Sequence, residues 1–304
     1  MDKKTKLVIA SGKGGVGKSM LASVLAMLFN KKNKIVAVDC DVDAPNLAIW
    51  LGEPKGWKTT KKISVSEKPV INNNKLTRKE AEQCVKKCRF NALKIKKGKL
   101  KLNPFLCEGC GACEIFCPKG VMKMKSIKNG EIRTKETKYG FPLISGQLFP
   151  GETGSGKVVS EVKKQGEKFP YQLMIIDSAP GTGCPVIASV QDADFAVLIT
   201  EPTPSGFTDL KRVLKVINHF KVPYGLVINK WDINPKISQR VEKWALGPHL
   251  GRTNKKFLGK ISYDKKIFKA VANLTPILET DLKAKQEIKS IYNSLCLCLG
   301  KMVK

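Results

Sequence analysis

Residues 107–118 read CEGCGACEIFCP, and residues 11–19 read SGKGGVGKS. The first stretch spaces its thiols as Cys107-x2-Cys110-x2-Cys113-x3-Cys117-Pro118, with Gly109 and Gly111 between them. Three closely spaced thiolates suit three corners of an iron–sulfur cube, and the trailing Cys-Pro belongs to the same spacing pattern. Zinc is the competing occupant, but three Cys at two-residue intervals crowd a tetrahedral site. The second stretch follows a short apolar run, KLVIA, and precedes the helical pattern SMLASVLAMLF. There the backbone N–H groups of Gly12, Lys13, Gly14, Gly15, Val16 and Gly17 can converge on phosphate oxygens, and the helix presents its positive end to the anion. In such a loop Lys18 reaches the β- and γ-phosphates and Ser19 holds Mg²⁺, while Met20 opens the helix.

Carboxylates stand where a phosphate site would use them. KIVAVDCDVDAPNL ends an apolar run on Asp39 and Asp41, and QLMIIDSAPGTG ends another on Asp177, with Gly181 four residues on. Acidic residues at strand ends beside a phosphate loop have an evident task around Mg²⁺. LVINKWDIN contains Asn229-Lys230-Trp231-Asp232, a pattern that selects guanine in GTPases. Adenine and guanine are therefore both open at this point.

The cysteines add an internal repeat of period 29: CVKKCRFNALKI (84–95) aligns with CEIFCPKGVMKM (113–124). A complete first copy needs Cys at 78 and 81, where Arg78 and Ala81 stand instead. In two-cluster folds the fourth Cys of each run ligates the other cluster. Cys107, Cys110 and Cys113 then take Cys88 as their fourth ligand, and the second set is broken. One [4Fe–4S] cluster is expected, with Cys84 and Cys117 facing each other across the vacated place as a residual site, free thiols or a reversible disulfide.

The loop KGGVGKS resembles the deviant Walker A motif of the MinD/ParA/nitrogenase-iron-protein class of P-loop ATPases. The chain as a whole resembles members of that superfamily with an inserted ferredoxin domain. The likeness implies that Lys13 crosses a nucleotide-bound homodimer to the partner's phosphates. It also implies that Asp41 orients the attacking water and shares Mg²⁺, that Asp177 is the Walker B residue, and that Asn229 contacts adenine. ATP is favoured on that ground, with Pro202 expected near the base. In catalysis Lys13, Lys18 and Asp41 would then act together.

These sites must be positioned by something. Runs apolar throughout, such as KIVAVD, DFAVLIT and YGLVIN, suit strands buried on both faces of a parallel sheet. Helical patterns near 17–31, 184–191, 206–220, 235–246 and 281–299 alternate with them, giving a doubly wound, mostly parallel α/β fold. Between 57 and 136 that rhythm stops, and 21 Lys and Arg stand against seven Asp and Glu. The expected division is a P-loop ATPase domain of 1–56 and 137–304, with a small α+β ferredoxin-like insert at 57–136. Residues 137–169 read as an irregular return, and GETGSGK within them as a poor second phosphate loop, because no buried strand is read ahead of it.

The whole chain carries 55 Lys and Arg against 26 Asp and Glu, a net charge of +29. Such a surface favours acidic partners. Most of the excess is scattered Lys, so an acidic redox or client protein is expected before nucleic acid or membrane. Ten cysteines, six of them within residues 84–117 and so pointing to metal or catalysis, with no long apolar run, fit a reducing, cytoplasmic setting. Three functions follow: an ATPase coupled to gated electron transfer, a maturation factor for metal clusters, and a MinD-like spatial switch.

Overall fold

The computed structural model describes residues 4–247 and 255–300. The chain opens with β1 (Thr5–Ser11), α1 (Lys18–Phe29), β2 (Ile35–Cys40), α2 (Leu47–Trp50) and β3 (Thr59–Ile63). A run of short elements follows: β4 (Ser66–Ile71), α3 (Arg78–Lys87), β5 (Leu93–Lys96), β6 (Lys99–Leu102), α4 (Ala112–Phe116) and β7 (Met122–Ile127). Then come β8 (Gly130–Glu136), β9 (Pro142–Leu148), α5 (Ser155–Glu167), β10 (Leu173–Pro180), α6 (Cys184–Val190) and β11 (Phe195–Thr200). The rest comprises α7 (Pro204–His219), β12 (Tyr224–Asn229), α8 (Pro235–Ala245), β13 (Lys255–Ile261), α9 (Lys266–Ala272) and α10 (Lys283–Leu299).

The main sheet runs β13-β12-β11-β1-β10-β2-β9-β8-β3, and every pairing from β13 to β9 is parallel. Strands β2, β11 and β12 are buried along their whole length, as their unbroken apolar runs require. Helix α1 is apolar almost all round and buried at every position. Strand β1 lies between β10 and β11, so its neighbours leave in opposite directions across the sheet. In open α/β sheets the crevice at such a switch point, beyond the carboxyl ends of the strands, is where ligands bind. The phosphate loop follows β1, and Asp39 and Asp41 flank the end of β2, whereas Asp177, expected at a strand end, lies inside β10 opposite Asp39 because that strand runs on to Pro180.

Two compact units are present. One comprises residues 61–131 with 148–154, and the other the remainder. Relative to an insert of 57–136, residues 57–60 and 132–136 lie in the larger unit because β3 and β8 extend its sheet. Residues 148–154 lie in the smaller one.

The stretch 137–169 is not irregular. It holds β9, with Leu143 and Ile144 fully buried, and the 13-residue helix α5, which buries Val158, Val159 and Val162. A buried strand therefore does precede GETGSGK, hidden in the sequence because Gly146 and Gln147 break its apolar run. Strand β13 was likewise not anticipated, since its KKFLGKI is punctuated by lysines and Gly259.

In the smaller unit β4 pairs with β7 and β5 with β6, both antiparallel. Helix α3 begins with a capping box: Glu80 N donates to Thr77 Oγ1 at 3.3 Å, and Thr77 N donates to Glu80 Oε2 at 2.8 Å. Its core gathers Ala81, Cys84, Leu93, Leu100, Cys117, Val121 and Met122. The 29-residue repeat has a structural form here. Helix α3 carries Cys84 and ends on Cys88, while α4 carries Cys113 and ends on Cys117.

Among the described residues no helix is long and apolar enough to cross a membrane. Ile175, fully buried in β10 between β1 and β2, tests the core of the larger unit. Ile175→Ala is expected to cost about 2–5 kcal/mol, read as a lowered urea midpoint with unchanged slope.

Candidate functional site

Loop 12–17 leaves β1 and feeds α1 through Gly17, whose φ of +93° is left-handed. A Cβ at Gly17 would strike the Asn229 carboxamide, so glycine is needed for close approach as well as for conformation. That approach lets Asn229 Nδ2 donate to Val16 O at 2.8 Å, tying the loop to the end of β12. Gly181, with φ +93°, donates its N–H to Ser11 O at 2.9 Å and ties the loop from the β10 side.

Below the loop lies a buried charge cluster. Lys18 Nζ is 2.7 Å from Asp177 Oδ1, 3.8 Å from Asp41 Oδ2 and 3.5 Å from Ser19 Oγ. Burial disfavours the Lys18 charge, but Asp177 and then Asp41 outweigh it and hold the ammonium's pKa above its ordinary value. Asp39 accepts from Leu47 N at 2.9 Å and Asp41 N at 3.2 Å. Burial, followed by the Asp177 charge, pushes the Asp39 carboxyl well above the usual range. Burial likewise pushes Asp41 up to about 6, against the pull of Lys18. Three carboxylates thus share one ammonium, and the second oxygen of Asp177 is buried with no hydrogen-bond partner. An orphaned acceptor of that kind fits a divalent cation, with Ser19 Oγ and Asp41 as the companion oxygens.

Above the cluster opens a cavity of about 260 Å³. Lys13, Gly14, Gly15, Gly17, Lys18, Ser19, Met20, Asp41 and Asn229 line it, so the anticipated residues largely meet. Gly12 does not: it packs against Asp209 of α7. Val16 is buried and contributes its carbonyl to Asn229. Pro202, expected near the base, is buried and is not among the residues that line the cavity.

Sequence reasoning missed Asn46, Trp50, Ser262, Tyr263, Ile267 and Phe268, all of which line this space. Asn46 Oδ1 is another buried acceptor without a partner. The only available signal was the WDIN segment, because Asp232 Oδ1 accepts from Tyr263 N at 2.8 Å and holds the 262–264 turn in place. Asp232 itself does not line the cavity. Lys13 Nζ lies 2.9 Å from Glu201 Oε1, and Lys230 Nζ 3.4 Å from Glu201 Oε2. Burial would raise the Glu201 carboxyl's pKa, but Lys13 and Lys230 outweigh it and hold it below the ordinary value.

In the smaller unit Cys88, Cys107, Cys110 and Cys113 line one cavity of about 150 Å³. Gly109, with φ +64°, lets the backbone turn there, and a Cβ would run into Glu67 O. Burial pushes the Cys107 thiol up and the Cys113 thiol up to about 11, with the other cavity thiols adding to both. Among the described residues no three His, Cys, Asp or Glu side chains close on a point that would hold a single metal ion. A cube of iron and sulfide spreads its thiolates wider than one ion does, and an all-thiol donor set is the chemistry such a cluster takes.

Cys84 and Cys117 are elsewhere. They form a buried disulfide with Cα atoms 5.6 Å apart, and in that state they offer no thiolate to a second metal site. Cys40 is buried, Cys184 is exposed at the start of α6, and Cys296 and Cys298 are half-buried on α10.

The model of the CobQ/CobB/MinD/ParA nucleotide-binding domain matches residues 7–277. An uncharacterized protein of Methanocaldococcus jannaschii is 37% identical over 292 residues, covering 95% of this chain and 96% of its own length. The iron–sulfur cluster carrier protein of Pyrococcus abyssi is 25% identical over 309 residues, covering 98% of this chain and 88% of its own. Among solved structures, the septum site-determining protein MinD of Pyrococcus horikoshii, complexed with Mg-ADP, superposes with a TM-score of 0.58. It is 16% identical and covers 99% of each chain, a likeness of fold.

The raised pKa of Asp41 has a measurable consequence. A carboxyl whose folded value exceeds its unfolded value favours folding at low pH, and that contribution is lost as pH rises through about 6. In nucleotide-free protein at pH 7, Asp41→Asn is therefore expected to stabilise by about 1 kcal/mol or more. Urea midpoints should converge as the pH falls toward 4.5. A variant that parallels the parent at both pH values would show that the carboxyl is not strained.

Proposed function

This chain belongs to the CobQ/CobB/MinD/ParA family of P-loop nucleotide-binding proteins, and from that premise we propose that it is an ATPase whose dimer cycle is coupled to a [4Fe–4S] centre. The output of the cycle is gated electron transfer to an acidic redox or client protein. One observation carries the reading. A single chain holds a phosphate-loop cavity lined by Lys18 and Asp41, with Asp177 buried behind Lys18, and, in its smaller unit, a separate cavity lined by four thiols.

Arriving phosphates compete with Asp177 and Asp41 for the Lys18 ammonium. Ser19 Oγ, Asp41 and the free oxygen of Asp177 hold Mg²⁺, which when bound neutralises phosphate charge. Asp41 orients the attacking water. Lys13 leaves Glu201 and reaches the phosphates of a second copy, placing positive charge where the transition state spreads negative charge. The base is adenine, because the carboxylate that a guanine reader needs, that of Asp232, is engaged by Tyr263 N and stands outside the cavity lining.

Cys88, Cys107, Cys110 and Cys113 hold one ferredoxin-type [4Fe–4S] cluster, which when bound supplies one-electron chemistry. The residues 61–131 form the inserted iron–sulfur domain and the larger unit the ATPase domain.

A second reading has its own support. Relatives in Pyrococcus abyssi and Methanococcus maripaludis are named iron–sulfur cluster carrier proteins and span 98% and 96% of this chain. On that reading the cluster is cargo, and it would pass readily to an apo-ferredoxin.

Lys13→Ala is expected to lower the ATP turnover rate by about 100-fold or more while ATP affinity changes only a few-fold. An equal loss of affinity would argue instead for a structural role. Anaerobically purified protein should contain about four iron atoms per chain. About eight would overturn the single cluster, and zinc in their place would overturn the iron reading. EPR of the dithionite-reduced protein should change on adding Mg·ATP; a spectrum and potential indifferent to nucleotide would remove the coupling.

A further inference from the structure

The β5–β6 hairpin of the smaller unit has an uncommon charge arrangement. Its register pairs Leu93 with Leu102, Lys94 with Lys101, Ile95 with Leu100, and Lys96 with Lys99. One face is apolar and packs into the small core, with Leu93 and Leu100 at 2% and 1% exposure. The other face carries two lysine pairs directly opposed across the strands, and the turn between them adds Lys97. All five lysines are exposed, and among the described residues none has an acidic partner.

Like charges directly opposite one another are destabilising in a sheet. Blunting an exposed strand edge needs only a charge or two. Two facing pairs therefore exceed what solubility or edge protection asks for. Their repulsion is relieved when negative charge comes against them. The surrounding unit repeats the bias, with 18 Lys and Arg against seven Asp and Glu.

An open groove of about 400 Å³ runs beside this face, lined by Lys94, Lys96 and Lys101 and ending at Phe105, whose ring is 74% exposed. Leu102 lines both this groove and the four-thiol cavity, so the two spaces adjoin at that side chain. We propose that the β5–β6 lysine face, with Phe105 as its apolar anchor, is the docking surface for an acidic protein that carries its own one-electron redox centre.

The choice of partner deepens the reading of the four-thiol cavity as a cluster cradle and rests on it: a centre brought to this groove stands beside that cavity. The hairpin has lysines and no arginine, point charges without the planar fork that suits phosphate. A single exposed ring is also not the series of stacking platforms that single-stranded nucleic acid uses. Charge steering by such a face acts at the rim, sets the rate of encounter and weakens with salt.

The test uses the full chain and a small acidic ferredoxin as the probe. The unaltered protein should bind it, with affinity falling as salt rises from 20 to 300 mM. Lys94→Glu, Lys96→Glu and Lys101→Glu together should weaken binding by about tenfold or more at low salt. The milder Lys→Gln set should give a smaller loss of the same sign, which guards against a folding defect in the charge reversal. Phe105→Ala should weaken binding at all salt concentrations. Lys236→Glu with Lys243→Glu, exposed on α8, should leave it unchanged.

Equal losses from the α8 set would overturn the assignment, as would tighter hairpin-dependent binding to a single-stranded oligonucleotide or to anionic vesicles than to the ferredoxin. Iron content separates this inference from the reading beneath it. Hairpin-dependent binding by a chain without iron would keep the docking face and sink the cluster. A four-iron chain whose binding ignores the hairpin would do the reverse.

Discussion

One buried ammonium set among three carboxylates is the constraint around which the larger unit is built. Lys18 stands 2.7 Å from Asp177 and 3.8 Å from Asp41, with Asp39 adjoining. Charge buried in that proportion is tolerable only when each group is held by other bonds. Asp39 caps the turn into α2 through Leu47 N, and Gly181 and Asn229 tie the loop from both sides. The net deficit of positive charge remains. It makes the cluster receptive to a divalent cation and costs stability in its absence, which is the usual exchange at a working site. The sheet serves this arrangement, because β1, β2 and β10 are adjacent and parallel and deliver loop and acids to one edge.

The smaller unit solves a different problem. Its core is modest and partly built of cysteine, with Cys84 and Cys117 bonded inside and Cys88 and Cys113 at its border. The two helices of the repeat each contribute one cysteine to the disulfide and one to the cavity. Where a symmetric repeat would set the same number of thiols on either side, this one has four thiols at one cavity and a covalent bridge. Arg78 and Ala81 stand where a complete first copy of the repeat would carry cysteines, and Cys84 and Cys117 are bonded to each other.

Glu201 connects features that look unrelated in the sequence. It pairs with Lys13 of the phosphate loop and with Lys230 of the segment after β12, and its carboxyl is held below the ordinary range by both. The residue expected to act across a dimer is thus held within its own chain in this structure. Asp232 is similarly redirected: a residue whose spacing suggested base recognition instead supports the 262–264 turn that walls the cavity.

Local spacing determined a good deal by itself. The phosphate loop and the Cys107, Cys110 and Cys113 run are short-range patterns, legible because glycine conformation and close spacing act over a few residues, while Cys88 was legible only through the repeat. The all-apolar strands were legible for the same reason, since burial on both faces leaves no polar position to obscure the run.

What only the tertiary structure decided involves partners distant in sequence. Asn46, Trp50 and Phe268 meet at one cavity, Glu201 takes Lys13 at a separation of 188 residues, and β9 and β13 are strands despite interrupted patterns. Pro202 is buried outside the cavity lining, a placement that depends on how a loop packs, which spacing does not carry. The opposed lysines of β5 and β6 were visible as letters, but their register, and hence their mutual repulsion, exists only once the strands pair.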